Sequence, residues 1–183
     1  MCSLRTETKV SEYKTVFPAV NNFYLLTVFC FGLLKTNMDE ARKQELTRSY
    51  LITDYVVNHH GIRFVITVGV DNGELDQLLI AKGAPEWAFL TACNPFSTEL
   101  SDEENRVRQE SLLDCLEKAG YEFLLGCGES RHQDWHAEPS VLVLGVSPHK
   151  AMDLAMKFQQ NAIVAGSLGG PAELVWCRSS IEN

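Results

Sequence analysis

The sequence predicts an α+β domain with a mostly antiparallel sheet, and three observations predict it. Short apolar segments alternate with amphipathic ones along residues 38–183. From residue 86 onward their order is β-α-β-β-α-β-β, the split β-α-β arrangement of a ferredoxin-like sandwich plus one strand. Each helix of that series has a single apolar face, so we expect both helices on one face of the sheet. An N-terminal hairpin and helix would extend the sheet.

The hairpin and helix are predicted before residue 86. Residues 62–68 alternate apolar and polar side chains, which is typical of a half-buried strand. Residues 53–57 form the preceding strand candidate, and 58–61 supply the turn. Leucines between 75 and 79 follow helical spacing, and Gly83 suits the position just past a helix end.

Two central strands and two helices follow. Residues 87–92 and 141–146 are continuous apolar runs, as in strands covered on both faces. Ser101 followed by Glu104 is a capping box that opens a helix ending at Gly120. The expected apolar face of this helix consists of Val107, Leu112, Leu113 and Leu116.

The C-terminal half of the domain continues the alternation. Residues 121–125 are the next strand, and 126–139 are predicted to be a long polar loop. Ser147-Pro148 opens the second helix, with Ser as cap and Pro at the first helical position. Its expected buried face consists of Ala151, Leu154, Ala155 and Phe158. Residues 162–165 and 172–176 are the last two strands.

Composition excludes several function classes. The 183 residues are 45% hydrophobic and 22% charged, the balance of an ordinary globular protein. A net charge of −8 disfavours non-specific binding to nucleic acid, because a phosphate backbone repels it. The six cysteines form no C-x-x-C pair, so they predict no structural zinc site. We expect free thiols in the reducing environment of the cytoplasm.

Residues 1–37 are predicted to be an extension that the domain can lose. The apolar run Phe23 to Leu34 has twelve residues, whereas a membrane span needs about 20. Acidic residues interleave with the lysines that precede it, which argues against a signal peptide. An extra strand is one alternative, and a natural start at Met38 is another. We expect no association with a membrane.

The predicted topology brings three connections to one edge of the sheet. They are residues 94–101, residues 126–139 and residues 159–161. Loops at one edge of a rigid sheet are where function usually sits. The polar or aromatic side chains there that caps and turns do not explain are Asn94, Asn105, Trp135, Glu138, Gln160 and Asn161.

Glu138 is the strongest candidate for chemistry. A carboxylate beside Trp135 in a partly dry site has a raised pKa and suits a general acid or base. Alternatively, Glu138 accepts backbone N–H bonds and closes the loop. Asn94 either makes a turn before Pro95, which is the preferred interpretation, or holds a substrate carbonyl or a base edge. The amides of Gln160 and Asn161 either cap the helix end or bind a ligand.

Two further chemistries are less favoured. The alternation of His132, Asp134, His136 and Glu138 would place potential metal ligands on one face of an extended segment. A solvated loop is the preferred interpretation, so we predict no metal and no cofactor. Cys93 as a nucleophile is weighed against a small buried residue at a strand end, and the second is preferred.

Several of these segments together resemble the bacterial and phage family called domain of unknown function 3293. They are Thr91-Ala92-Cys93-Asn94-Pro95 with Ser97, Asn105, Gly120-Tyr121, residues 135–140 and residues 158–162. The resemblance covers roughly residues 50–176 and is specific in its combination. Cys93 departs from the aromatic or small residue usual at that position. The resemblance implies domain limits but no activity.

Two functions therefore remain open. The first is a small polar-ligand or proton-transfer site, hydrolase-like, at the sheet edge. The second is a non-catalytic module that binds a protein or regulates one, through the same edge or through strand 172–176. A concave site that holds Glu138 and at least two of the amides favours the first, whereas a flat edge favours the second.

Overall fold

The computed structural model describes residues 40–132 and 136–177, which lie within the unit Met38–Asn183. The expectations about residues 1–37 and about Trp135 fall outside these residues. The described elements are α1 (Glu40–Leu51), β1 (Thr53–His59), β2 (Ile62–Ile66), α2 (Gly73–Lys82), β3 (Glu86–Leu90), a 3-10 turn (Pro95–Ser97), α3 (Asp102–Ala119), β4 (Glu122–Ser130), β5 (Glu138–Leu144), α4 (Pro148–Lys157), β6 (Ala162–Ser167) and β7 (Glu173–Trp176).

The described strands form one seven-stranded sheet in the order β2-β1-β4-β5-β3-β6-β7. Every neighbouring pair of strands is antiparallel. The α+β class with an antiparallel sheet is therefore confirmed. β5 and β3 lie at the centre, as expected from their unbroken apolar sequences, and the β1–β2 hairpin extends the sheet at one side.

The sheet separates two apolar cores, because successive side chains of a strand point to opposite faces. Trp87 and Phe89 of β3 belong to the first core, together with α2. Ala88 and Leu90 belong to the second core, which α3 and α4 cover. The two long helices thus share one face. The expectation for α3 and α4 therefore agrees with the structure. The third helix, α2, packs on the opposite face of the sheet.

Local sequence signals account for the helix ends. The Ser101 hydroxyl accepts from Glu104 N while the Glu104 carboxylate accepts from Ser101 N, which completes the capping box. Ser147 caps α4, with Pro148 at its first position. Gly83 ends α2 in the left-handed conformation, with φ 63°.

The predicted long loop 126–139 is wrong, because β4 continues to Ser130. Residues 126–130 pair with β1, and residues 126–128 also pair with the start of β5. Ladder hydrogen bonds on both sides therefore keep this polar stretch extended. Gly126 is needed there, since a Cβ would lie 2.3 Å from Val56 O of the neighbouring strand.

Two predicted core positions also differ from the structure. Val107 is 52% exposed, because α3 turns its Leu112 and Leu116 to the sheet and Val107 away from it. Leu154 packs against the second core but is only partly buried, whereas Ala151 and Ala155 are fully enclosed.

Of the described cysteines, Cys93, Cys115 and Cys127 have free thiols. No helix in the described ranges combines the length and hydropathy needed to cross a bilayer.

Candidate functional site

The ends of β3 and α4 and the start of β5 meet at one edge of the sheet. The Thr91 hydroxyl donates to Pro139 O at 2.8 Å, which joins the residues after β3 to β5. Phe96 N donates to Gln159 O at 2.7 Å, which joins the same segment to the end of α4. Three connections far apart in sequence are therefore bonded to one another.

Asn94 lies at the middle of this junction. Its side-chain Nδ2 donates to Glu138 Oε2 at 2.7 Å. Its Oδ1 accepts from Leu100 N at 3.1 Å and from Asn105 Nδ2 at 2.9 Å. Because Oδ1 is held from two sides, the donor end of the amide is aimed at the carboxylate.

Asn105, on the first turns of α3, fixes Asn94. Its Oδ1 accepts from Asn94 N at 2.8 Å, and its Nδ2 donates to Asn94 Oδ1 and to Leu100 O. Both ends of the Asn105 amide are therefore engaged with the segment 94–100. Asn105 acts as a positioning residue for Asn94 in this arrangement.

The backbone is strained where these residues meet. Four of the five described non-glycine residues with positive φ lie at this junction: Asn94 at 47°, Phe96 at 52°, Ser97 at 57° and Gln159 at 61°. Such conformations cost roughly 1–3 kcal/mol each and persist only where the surroundings enforce them. Their clustering here indicates that the hydrogen bonds hold the segment in a shape it would not adopt alone.

Gln160 and Asn161 hold the strained segment from the α4 side. Gln160 is buried, and its Nε2 donates to Cys93 O at 2.7 Å. Asn161 Nδ2 donates to Ser97 Oγ at 2.9 Å. The two amides bind the protein's own chain, while Gln160 also faces the adjacent cavity.

A cavity of about 1150 Å³ opens at this edge. Glu138 lines it together with the side chains of Asn94, Asn105 and Gln160. Tyr50, Tyr55 and Phe89 are aromatic residues that also line it. Of the predicted site residues, Trp135 lies outside the described residues and Asn161 is not part of the cavity wall.

The Glu138 carboxyl is half-buried at the start of β5. Burial raises its pKa, because a charged carboxylate loses hydration there. Hydrogen bonds from Asn94, and then from Thr91, act in the opposite direction. The net effect favours the protonated acid relative to an exposed glutamate.

Tyr50 faces the same carboxyl from the end of α1. Burial raises the pKa of its hydroxyl, and the charge of Glu138 raises it further. Its ring packs edge-on against Trp176 with centroids 5.9 Å apart. Tyr50 therefore remains a neutral phenol at the wall of the cavity.

Cys93 has the environment of a structural residue. It is 1% exposed, and burial raises the pKa of its thiol. A reactive cysteine needs an accessible thiolate of lowered pKa. The alternative in which Cys93 is a small buried residue at a strand end therefore fits this geometry.

The alternating histidines do not assemble a metal centre in the described part of the chain. His132 and His136 are both exposed, and Asp134 lies outside the described residues. Within residues 40–132 and 136–177, no group of three His, Cys, Asp or Glu is placed to hold a metal ion.

Arg108 and Gln109 also belong to this junction, although no sequence pattern predicted them as site residues. Arg108 donates to Ala92 O at 2.7 Å and to Phe158 O at 2.5 Å, so one guanidinium connects the end of β3 to the end of α4. Gln109 Oε1 accepts from Ala92 N at 2.9 Å. Helical spacing was the signal available for Gln109, because residues 105 and 109 lie on the face of α3 that buries Leu112.

Comparison with protein-family models agrees with the resemblance to domain of unknown function 3293 that the sequence motifs indicated. Residues 90–163 match the model of a family described as a protein of unknown function, DUF3293. The matched segment runs from the last residue of β3 into β6 and includes the bonded junction. No curated protein and no solved structure matches the chain.

Proposed function

We propose that the cavity beside Glu138 binds a small polar ligand and exchanges a proton with it. The proposal starts from the match of residues 90–163 to the DUF3293 family, whose description names no activity. One observation carries the proposal. The half-buried carboxyl of Glu138 lines the cavity and accepts a hydrogen bond from the side-chain amide of Asn94. The oxygen of that amide accepts hydrogen bonds from Leu100 N and Asn105 Nδ2, which fix its orientation.

The proton-transfer role follows from the environment of Glu138. A general acid or base works best when its pKa lies near the working pH. Burial moves the pKa of Glu138 upward from the ordinary glutamate range, which is the direction required. Asn94 holds the carboxyl oxygen at 2.7 Å and so fixes the direction in which a proton is delivered.

The other predicted residues take supporting roles in this proposal. Asn105 and Gln160 hold Asn94 and the backbone of Cys93 in place. Asn161 anchors Ser97. Trp135, outside the described residues, is proposed to stack on the ligand or exclude water from Glu138.

The scaffold is proposed to be ferredoxin-like. The partial order β4-β5-β3-β6, with α3 and α4 sharing one core, supports a split β-α-β assignment for residues 86–167. A reducing, cytoplasmic location is proposed on the cysteine pattern alone.

The interaction-module alternative depends on the outer edge of β7, beside which the structure describes no further strand. That strand has four residues, and the bridge between Val68 and Ala172 covers the chain just before it. Tyr50 and Lys43 also contact Trp176. The short edge gives less support to this alternative than the cavity gives to a ligand site.

A binding screen tests the proposal. Purified protein is screened by thermal shift against nucleosides, amino acids, amides and amines, and hits are measured by calorimetry. Glu138→Gln is expected to weaken a hit at least about tenfold, or about 1.4 kcal/mol. Glu122→Gln, a carboxylate at the other end of the β4–β5 pair, is the matched control. A ligand that Glu138→Gln binds as tightly as the wild type contradicts the proposal, as does a screen with no hit.

A further inference from the structure

Carboxylates outnumber cationic side chains among the described residues of the cavity wall. Its described carboxylates are Glu99, Asp102, Glu110 and Glu138, and its described cationic side chain is Arg106. Arg106 donates to Glu103 at 2.9 and 2.7 Å and to Glu110 at 2.5 Å. Its charge is therefore already matched by carboxylates on its own helix.

A second guanidinium on α3, that of Arg108, donates to backbone carbonyls at the ends of β3 and α4. An anionic ligand would thus meet a wall in which the described positive charge is already paired. A cationic ligand would meet three wall carboxylates other than the paired Glu110, namely Glu99, Asp102 and Glu138. The charge balance of the described wall selects against phosphates and carboxylates and for cations.

Glu138 retains the capacity to bind such a cation. An ionised carboxylate has about four acceptor sites, and the hydrogen bonds from Asn94 and Thr91 leave about two of them open. Amidinium and guanidinium groups pair with carboxylates through two parallel N–H bonds. The planar fork of such a cation therefore matches the group that the cavity presents.

Aromatic rings provide the second recognition element. Tyr50 and Tyr55 line the cavity, and Tyr55 packs edge-on against Phe89 with centroids 5.5 Å apart. The Tyr55 hydroxyl donates to Tyr50 O at 3.0 Å, so its polar end is engaged. The faces of such rings attract cations, and planar ones also stack on them.

We infer that the ligand of this cavity is a planar cation, an amidine, a guanidine or a protonated amino-heterocycle, bound between Glu138 and the rings of Tyr50 and Tyr55. This inference rests on the proposed function and narrows its substrate class. The cavity volume of about 1150 Å³ leaves room for a substituent beyond the cationic head.

Binding of a cation favours the ionised carboxylate, so it releases a proton wherever free Glu138 is protonated. The titratable and charged groups that face Glu138 or line the cavity with it are Tyr50, Tyr55, Cys93, Glu99, Asp102, Arg106, Glu110 and His136. Glu138→Gln should remove the proton release while leaving these groups in place.

Three probes of equal shape and different charge test the inference: benzamidine, benzamide and benzoate. We expect benzamidine to bind the full chain at least about tenfold more tightly than benzamide, and benzoate not to bind. Glu138→Gln should abolish the preference for benzamidine.

The two Tyr50 variants test the aromatic contact. Tyr50→Phe should retain benzamidine binding and Tyr50→Leu should weaken it, because the ring is the required feature. Calorimetry in two buffers of different ionisation enthalpy should report proton release for benzamidine only.

The outcomes separate this inference from the proposed function. Benzamide or benzoate binding as tightly as benzamidine overturns the cation inference, and so does the absence of benzamidine binding. If the neutral probe binds and Glu138→Gln weakens it, the proposed function stands without the cation. If binding depends on Glu138 for none of the three probes and for no compound of the wider screen, the cation inference and the proposed function both fail.

Discussion

The side-chain amide of Asn94 donates to the carboxyl of Glu138 at 2.7 Å, although the two residues are 44 positions apart in sequence. Asn94 follows β3 and has a left-handed backbone, and Glu138 is the first residue of β5. One hydrogen bond thus joins a strained segment to the edge of a central strand. The stability of the fold and the proposed chemistry depend on the same contact.

The stability of Glu138→Gln should differ from that of the wild type in a pH-dependent way. The pKa of Glu138 is higher in the folded state than in the unfolded state, so protonation of this carboxyl stabilises the fold. This contribution to the free energy of unfolding is fully present below the unfolded-state pKa. It is lost as the pH rises through the folded-state pKa. Gln does not titrate. Urea unfolding from about pH 4 to about pH 8 should therefore show the variant gaining stability relative to the wild type. Curves that run parallel to the wild type would refute the raised pKa.

Asn105→Ala should destabilise the protein by about 1–3 kcal/mol, because it removes the partners of Asn94 N, Asn94 Oδ1 and Leu100 O. Asn161→Ala is the matched amide control. Its single bond to Ser97 is exposed to solvent, so the change should cost about 0.5 kcal/mol. Urea denaturation measures both. Equal losses for the two variants would show that Asn105 is not the main support of Asn94.

The sequence predicted those features that depend on local chemistry. Ser101 and Glu104 form their capping box within one turn of α3, and Gly83 ends α2, so short-range patterns sufficed. Topological reasoning also anticipated the convergence of Asn94 and Glu138 at one sheet edge. These predictions required the order of elements and no detail of packing.

The remaining features depend on contacts that a linear pattern does not contain. The length of β4 is set by ladders on both of its sides, so the polar residues after Gly126 gave no sign of a strand. Tyr50 lies in a helix of mostly polar sequence, and only the tertiary fold turns it toward Glu138. Arg108 gave no signal in the linear sequence, because its two carbonyl partners are 16 and 50 residues away.

Gly126→Ala should disrupt the pairing of β1 with β4. The added Cβ would lie 2.3 Å from Val56 O and 3.1 Å from the Phe89 ring, and the backbone oxygen has no room to move within a ladder. We expect a loss of roughly 3 kcal/mol or more, as for other severe core clashes. Gly128→Ala is the control two residues along the same strand, where the nearest atom is 3.5 Å away. Urea midpoints should separate the two variants, and similar midpoints would contradict the steric argument.

Arg108→Lys should loosen the site while keeping its charge. The guanidinium donates from Nε to Ala92 O and from Nη2 to Phe158 O, and a single ammonium does not reproduce this planar fork. We expect a loss of about 1–3 kcal/mol, since at least one carbonyl loses a charge-assisted bond. The Cys93 thiol, 1% exposed beside Ala92, should then react faster with a thiol reagent, because the segment after β3 opens more often.

Arg106→Lys is the control for this last prediction, since Arg106 lies on the same helix and its ion pairs with described residues, Glu103 and Glu110, are at the surface. It should leave both the urea midpoint and the Cys93 labelling rate unchanged, because exposed ion pairs contribute little to stability. Denaturation and timed thiol labelling of the wild type and both variants provide the measurement. If Arg108→Lys labels at the wild-type rate, the β3 and α4 ends are held together by Gln160 and Phe96 alone, and Arg108 has no positioning role.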